Sequence, residues 1–190
     1  MPKPKAAQPA PQHSAGRKTL YTLEVRLIDG MVTESFVDKN PTVSRTIQIL
    51  GNHTLEDLHD AIFGAFDRYD EHLYEFQVGG KKPHDRNALR YGDAMLDEGP
   101  FAGPGLAGIA GATRMDALNL KPRAVFYYCF DFGDDWMHRI KVASIEEGAP
   151  AEPLPRVIER VGASPPQYPN NEEDDDLDDE DLDDEEKTKA

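Results

Sequence analysis

The sequence predicts an α+β fold, a small mixed or antiparallel sheet with one long helix packed across it. Three observations predict it. Leu20–Ile28 and Val43–Leu50 alternate apolar and polar residues, the period of half-buried strands. The stretch NHTLEDLHDAIFGAFD carries an apolar stripe at helical spacing. Ala124–Phe132 is almost continuously apolar, as in a central strand covered on both faces. The resulting order is β-β-α-β-loop-β-β, for which a β-grasp-like topology is one solution.

Each element has its own warrant. In the first strand Leu23, Val25 and Leu27 share one face, while Glu24 and Arg26 take the other. Asp29-Gly30 and Asn40-Pro41 in the connection to the second strand suit antiparallel pairing. Thr54 is placed to cap the helix, with Asp57 three residues on as a capping-box partner. Leu55, Leu58, Ile62, Ala65 and Phe66 form its stripe, and Glu56, Asp57 and Asp60 favour its positive end. Leu73–Val78 alternates until Gly79-Gly80 stops it. Ala124–Phe132 and Asp135–Ile145 then make a hairpin in which Gly133 suits a turn position with positive φ.

Charge divides the chain further. Residues 172–186 hold 13 of the 36 acidic groups and no base. Without residues 172–190 the rest has 19 basic and 23 acidic groups, a net charge of −4 against −15 for the whole. A nearly balanced body offers no broad basic face to phosphates, which disfavours nucleic acid and leaves a protein as the favoured partner. Four regions follow. Residues 1–18 are a Pro/Ala-rich basic arm with no periodicity, and 19–148 the folded domain, with a flexible Gly-rich insertion at about 99–112. Residues 149–171 are a Pro-rich wrapping segment and 172–190 an acidic tail, read as a solubilising run or as a lure for a basic partner.

The lone Cys129 sits in an apolar run, which predicts a buried thiol in a reducing, cytoplasmic compartment. No run of eighteen apolar residues predicts a membrane span, and the N-terminal arm lacks the apolar core of a secretory signal. Gly103–Gly108 fits GxGxxG in letters only, because no strand precedes it and no helix follows. No serine has a nucleophile-elbow context.

Candidate chemistry gathers in FDFGDDWMHRI. Asp131, Asp134 and Asp135 supply acceptors around the turn, and Trp136, His138 and Ile140 share one parity after it. With His72, which precedes the third strand, Asp131, Asp134, Asp135, Trp136 and His138 form a predicted binding surface. His59, on the helix, together with His72, His138 and Asp131 makes an alternative set of ligands for Zn²⁺ or another divalent ion, as in a metal-dependent hydrolase or transferase. Against that set stands the absence of HExxH or of compact ligand spacing.

TLEDLHDAIFGAFDRYDEHLYEF, the Gly79-Gly80 stop and YCFDFGDDWMHRI together resemble the plasmid pRiA4b ORF-3-like family, over roughly Thr19 to Pro169. The resemblance implies an α+β domain found on plasmids and chromosomes, at times beside mobile elements, and implies no reaction. It points to a non-catalytic binding module. Two departures stand out. Val157, Ser164 and Pro169 occupy positions where relatives carry cysteines, so a thiolate metal site cannot form there. The acidic tail replaces the family's last helical region, and Pro100–Ala112 has the look of an insertion.

Overall fold

The computed structural model describes residues 18–96 and 105–169. Residues 1–17, 97–104 and 170–190 lie outside the described residues, and with them the basic arm up to Arg17, the first part of the Gly-rich insertion and the acidic tail. The described elements are β1 (Thr19–Asp29), α1 (Glu34–Lys39), β2 (Ser44–Leu50), α2 (Leu55–Ala65), β3 (Tyr74–Val78), β4 (Leu89–Gly92), β5 (Gly108–Ile109), β6 (Val125–Phe130), β7 (Trp136–Glu147) and β8 (Arg156–Val161).

The expected fold class does not stand. The described residues form one large eight-stranded sheet, in the order β5-β4-β3-β6-β7-β1-β2-β8, with two short helices. All neighbours pair antiparallel except β4 and β5, which run parallel, so the sheet is mixed. The small sheet and long helix were misjudged for local reasons. α2 has only 11 residues. Strands β4 and β5 are four and two residues long, too short to show a period. β8, RVIERV, does not alternate, and its pairing with β2 contains a register shift, so no period marks it. α1 has six residues and none is buried, so no apolar stripe marks it.

The core lies between α2 and one sheet face. Leu55, Leu58, Ile62 and Ala65 of α2 pack with Leu23, Val25, Ile47, Ile49, Phe76, Phe126, Ile140 and Val142, all buried. The helix begins as its sequence dictates. Thr54 Oγ1 accepts from Asp57 N at 3.1 Å, and the Asp57 carboxylate accepts from Thr54 N at 2.7 Å. These reciprocal bonds satisfy two orphan amides of the first turn.

The helix end uses residues distant in sequence. α2 has no basic side chain in its last turn. Arg45 on β2 supplies one, donating Nε to Ala65 O at 2.8 Å while its guanidinium lies 4.9 Å from the Phe66 ring centre. Arg160 on β8 also donates to Ala65 O. Arg45 further donates to Val161 O at 2.9 Å and Ser164 Oγ at 2.8 Å, binding β8 and the segment after it to the helix.

The opposite sheet face is covered over its β3–β6–β7 portion. Tyr127, Cys129 and Met137 form a second small cluster. The loop after β3 folds across it: His84 N donates to Gln77 Oε1 at 2.7 Å, and Tyr127 Oη donates to Lys81 O at 3.3 Å. Buried Glu75 is neutralised by Arg90, which donates Nε at 2.6 Å.

Trp136 is fully buried. The Arg68 guanidinium stacks 3.6 Å from its ring centre, and Gly30, at φ +147°, closes the other approach. A Cβ at Gly30 would overlap the indole. Urea denaturation should therefore show Trp136→Ala losing about 3–5 kcal/mol. Gly30→Ala should lose about 1–3 kcal/mol through overpacking. Thr54→Ala should lose about 1 kcal/mol as a broken cap.

Candidate functional site

The turn between β6 and β7 is built by aspartates. Asp131 and Asp135 adopt φ +59° and +50°, the left-handed region, whereas Gly133, expected to hold that conformation, does not. Aspartate tolerates it because its short carboxylate bonds the local backbone. Asp131 Oδ1 accepts from Gly133 N at 3.0 Å, and Asp135 N donates to Asp131 O at 2.7 Å. Asp131 N donates in turn to Leu73 O at 3.0 Å, which fixes the turn beside the start of β3.

That pairing brings His72 to Asp131. His72 Nε2 lies 3.5 Å from Asp131 Oδ2 and 2.8 Å from Tyr168 Oη. Tyr168 Oη also lies 2.9 Å from Asp70 Oδ2. An ionised carboxylate only accepts, so the single phenolic proton goes to Asp70. The Tyr168 lone pair is then left for His72 Nε2–H, which assigns the tautomer. The bond to Asp70 pushes the Tyr168 phenol up to about 12. Tyr69, Tyr168 and Phe132 are exposed at this end of the molecule, and the Tyr69 and Tyr168 rings meet edge to face at 6.1 Å.

The Pro-rich segment before the acidic tail holds this end together. Gln167 accepts from Tyr69 N at 3.0 Å and Asp70 N at 3.1 Å, and donates to Asp70 O at 2.7 Å. Ser164 donates to Asp67 at 2.6 Å.

The remaining predicted residues go elsewhere. His138 is buried on the core face, with Nδ1 3.1 Å from Trp136 O and its ring edge-on to Phe66 at 4.7 Å. Burial, then the Arg68 charge, hold it down to about 3. His59 stacks on Tyr74 at 3.7 Å, with Nδ1 2.7 Å from Tyr128 Oη, and burial holds it down to about 4. The Phe130 ring neighbours both His59 and His72, and the Tyr128 ring both His59 and His138. Aromatic rings thus occupy the space between the imidazoles. Among the described residues no group of three or more His, Cys, Asp or Glu could hold a metal ion. Asp134 is half-buried at the turn. Asp135 turns to the other sheet face, where Oδ1 accepts from Cys129 Sγ at 3.1 Å and Oδ2 lies 3.2 Å from His84 Nε2. Burial and Asp135 push the Cys129 thiol up, the reverse of an activated nucleophile. Sequence reasoning missed Tyr69, Asp70, Tyr168 and His84. The usable signal was a lone Gln-Tyr pair inside SPPQYPNN, polar anchors in an otherwise proline-bounded stretch.

With the sheet and this end of it in place, comparison decides the family. A family model, the plasmid pRiA4b ORF-3-like protein, matches residues 33–170. The chain belongs to that family. The match begins after β1 and includes the turn, His72 and Tyr168. A curated relative, an uncharacterised protein of Sinorhizobium fredii, is 27% identical over 130 residues, which cover 67% of this chain and 59% of the relative. The chain thus spans about six-tenths of that relative's length. The crystal structure of a Methanosarcina mazei Go1 protein of unknown function superposes with a TM-score of 0.56 at 22% identity, covering 77% of this chain and 71% of that one. That likeness concerns the fold. Among the described residues no helix is long and apolar enough to cross a membrane.

Two buried imidazoles make stability depend on pH. Both are held below the ordinary histidine value of about 6.5, so the unfolded chain binds more protons as pH falls through that value. Their contribution is complete above about pH 6.5 and declines toward pH 4 and 3, by up to about 1.4 kcal/mol per pH unit for each histidine. Urea melts at pH 7 and 5 should show the loss, and His59→Gln should make it shallower. Equal stability at the two pH values would contradict neutral burial of the rings.

Proposed function

We propose that this member of the family is a non-catalytic protein-binding module whose contact surface is the end of the sheet bearing Asp131, Asp134, His72, Tyr69, Phe132 and Tyr168. The observation that carries the reading is a set of exposed aromatic side chains on a hydrogen-bonded backbone beside carboxylates. His72 and Asp70 fix the Tyr168 hydroxyl, Gln167 fixes the Tyr69 backbone, and Phe132 projects from a turn ordered by Asp131. Rigid aromatics bind with little loss of side-chain entropy, and such residues dominate hot spots. The carboxylates of Asp70, Glu71, Asp131 and Asp134 favour a partner that presents Lys or Arg. Such a module would act on a plasmid, the setting the family's name mentions, through a basic protein partner rather than through direct contact with nucleic acid. Trp136 and His138 serve this surface from beneath, as packing.

The test is selection of peptides from a displayed random library on the full chain. The expected outcome is enrichment of Lys- or Arg-containing peptides with an apolar neighbour, with Tyr69→Ala or Phe132→Ala weakening the selected peptide by about 30-fold, some 2 kcal/mol, at unchanged circular dichroism. Enrichment that ignores both substitutions, or no enrichment, would remove the support for this surface.

A further inference from the structure

A second surface lies beside that one, because the end of β1 pairs with the start of β7 just after the turn. A groove of about 480 Å³ opens between α1 and the end of β1, floored by Leu27, Val32, Phe36 and Val37. Arg26 and Arg139 line it. They are register partners across β1 and β7, so their side chains leave the same sheet face side by side. Like charges in that relation repel, and among the described residues neither has a carboxylate within ion-pair distance. Arg26 makes one long bond, Nη2 to Thr42 Oγ1 at 3.5 Å. The one acid among the lining residues, Asp29, accepts from the Gly30 amide at 2.9 Å. The groove is therefore apolar at its floor and edged by two guanidinium groups without ion-pair partners among the described residues, which outnumber its single carboxylate.

The chain itself holds a segment of matching chemistry. A smaller groove of about 230 Å³ flanks the other side of α1, shares Val32 and Phe36 with the first, and is lined by Lys39 and by Pro165, Tyr168 and Pro169. The described chain thus ends at the neighbouring groove, across α1 from the arginines. Beyond it come 13 acidic residues in 172–186, interrupted only by Leu177 and Leu182. Leu177 is eight residues past Pro169, a reach of up to about 28 Å when extended. Two apolar side chains set among carboxylates answer an apolar floor edged by guanidinium groups.

We propose that the acidic segment Glu172–Glu186 folds back in cis onto the groove between α1 and β1, its carboxylates pairing with Arg26 and Arg139 and Leu177 or Leu182 entering between Val32, Phe36 and Val37. The tail is then an internal occupant of a basic groove, and any acidic protein segment seeking that groove must displace it.

Paramagnetic relaxation in the full chain tests this. A nitroxide is attached through Glu180→Cys in ¹⁵N-labelled protein; native Cys129 is fully buried and does not compete for the label. The expected result is loss of amide signals at Ile28, Val37 and Arg139 at low salt. Signal should return near 1 M salt, where the screening length falls to about 3 Å. It should return also in Arg26→Glu/Arg139→Glu, and in Leu177→Ser/Leu182→Ser, which alters only the tail and leaves folding of the body untouched. No loss at low salt, loss elsewhere on the surface, or loss that survives both variants would overturn the proposal. So would loss seen when labelled chain is mixed with unlabelled nitroxide-bearing chain, which would place the tail on a second copy.

Discussion

The fold depends on two buried arginines that tie one helix to the sheet. Arg45 reaches from β2 to the last carbonyl of α2, and Arg68, just beyond the helix, lies flat on Trp136. A helix of 11 residues offers little cohesion of its own. Its capped start and apolar stripe bring it to the sheet, but its exit needs positive charge to meet the negative end of its dipole. The sequence places none there, so the charge comes from across the core. Desolvation lowers Arg68 to about 10, still cationic at neutral pH, so a buried charge persists and the surrounding aromatic face must accommodate it.

This arrangement also sets where function can lie. Arg45 bonds Ser164, Ser164 bonds Asp67, and Gln167 and Tyr168 follow onto Tyr69, Asp70 and His72. The helix exit, the Pro-rich segment and the acidic turn are thereby one connected hydrogen-bonded region. Gln167 of the Pro-rich segment thus acts on Tyr69 through its backbone, and the proposed contact surface is tied by these bonds to the core.

Legibility of the fold followed the length and period of each element. β1, β2, β3, α2, β6 and β7 carry enough residues for a stripe or alternation to appear, and Thr54 and Asp57 declare their capping box outright. The eight-stranded sheet was missed because its added members carry little local signal: LRYG, GI and RVIERV gain their shape from neighbours. The site divides the same way. His72 and Asp131 stood in one expected set with His59 and His138, and only the β3–β6 pairing, which has no local signal, brings the first two together. His59 and His138 were ambiguous because an imidazole on an apolar face can be ligand or filler, and only the rings of Tyr74, Phe66 and Tyr128 around them decide. The left-handed aspartates defied the usual preference for glycine because Asp131 bonds the very amide of Gly133.

The two borders of the sheet have a further consequence. Among the described strands one margin, β5, is two residues long, and the other, β8, carries Arg156, Glu159 and Arg160 among Val157, Ile158 and Val161 along an exposed ribbon. Brief length and fixed charge are the means by which sheet proteins discourage strand-by-strand accretion. Growth of this sheet by another chain's backbone, whether a peptide added as a ninth strand or an aggregating copy, is thus opposed at both ends, which leaves side chains to carry the contacts of the proposed surface.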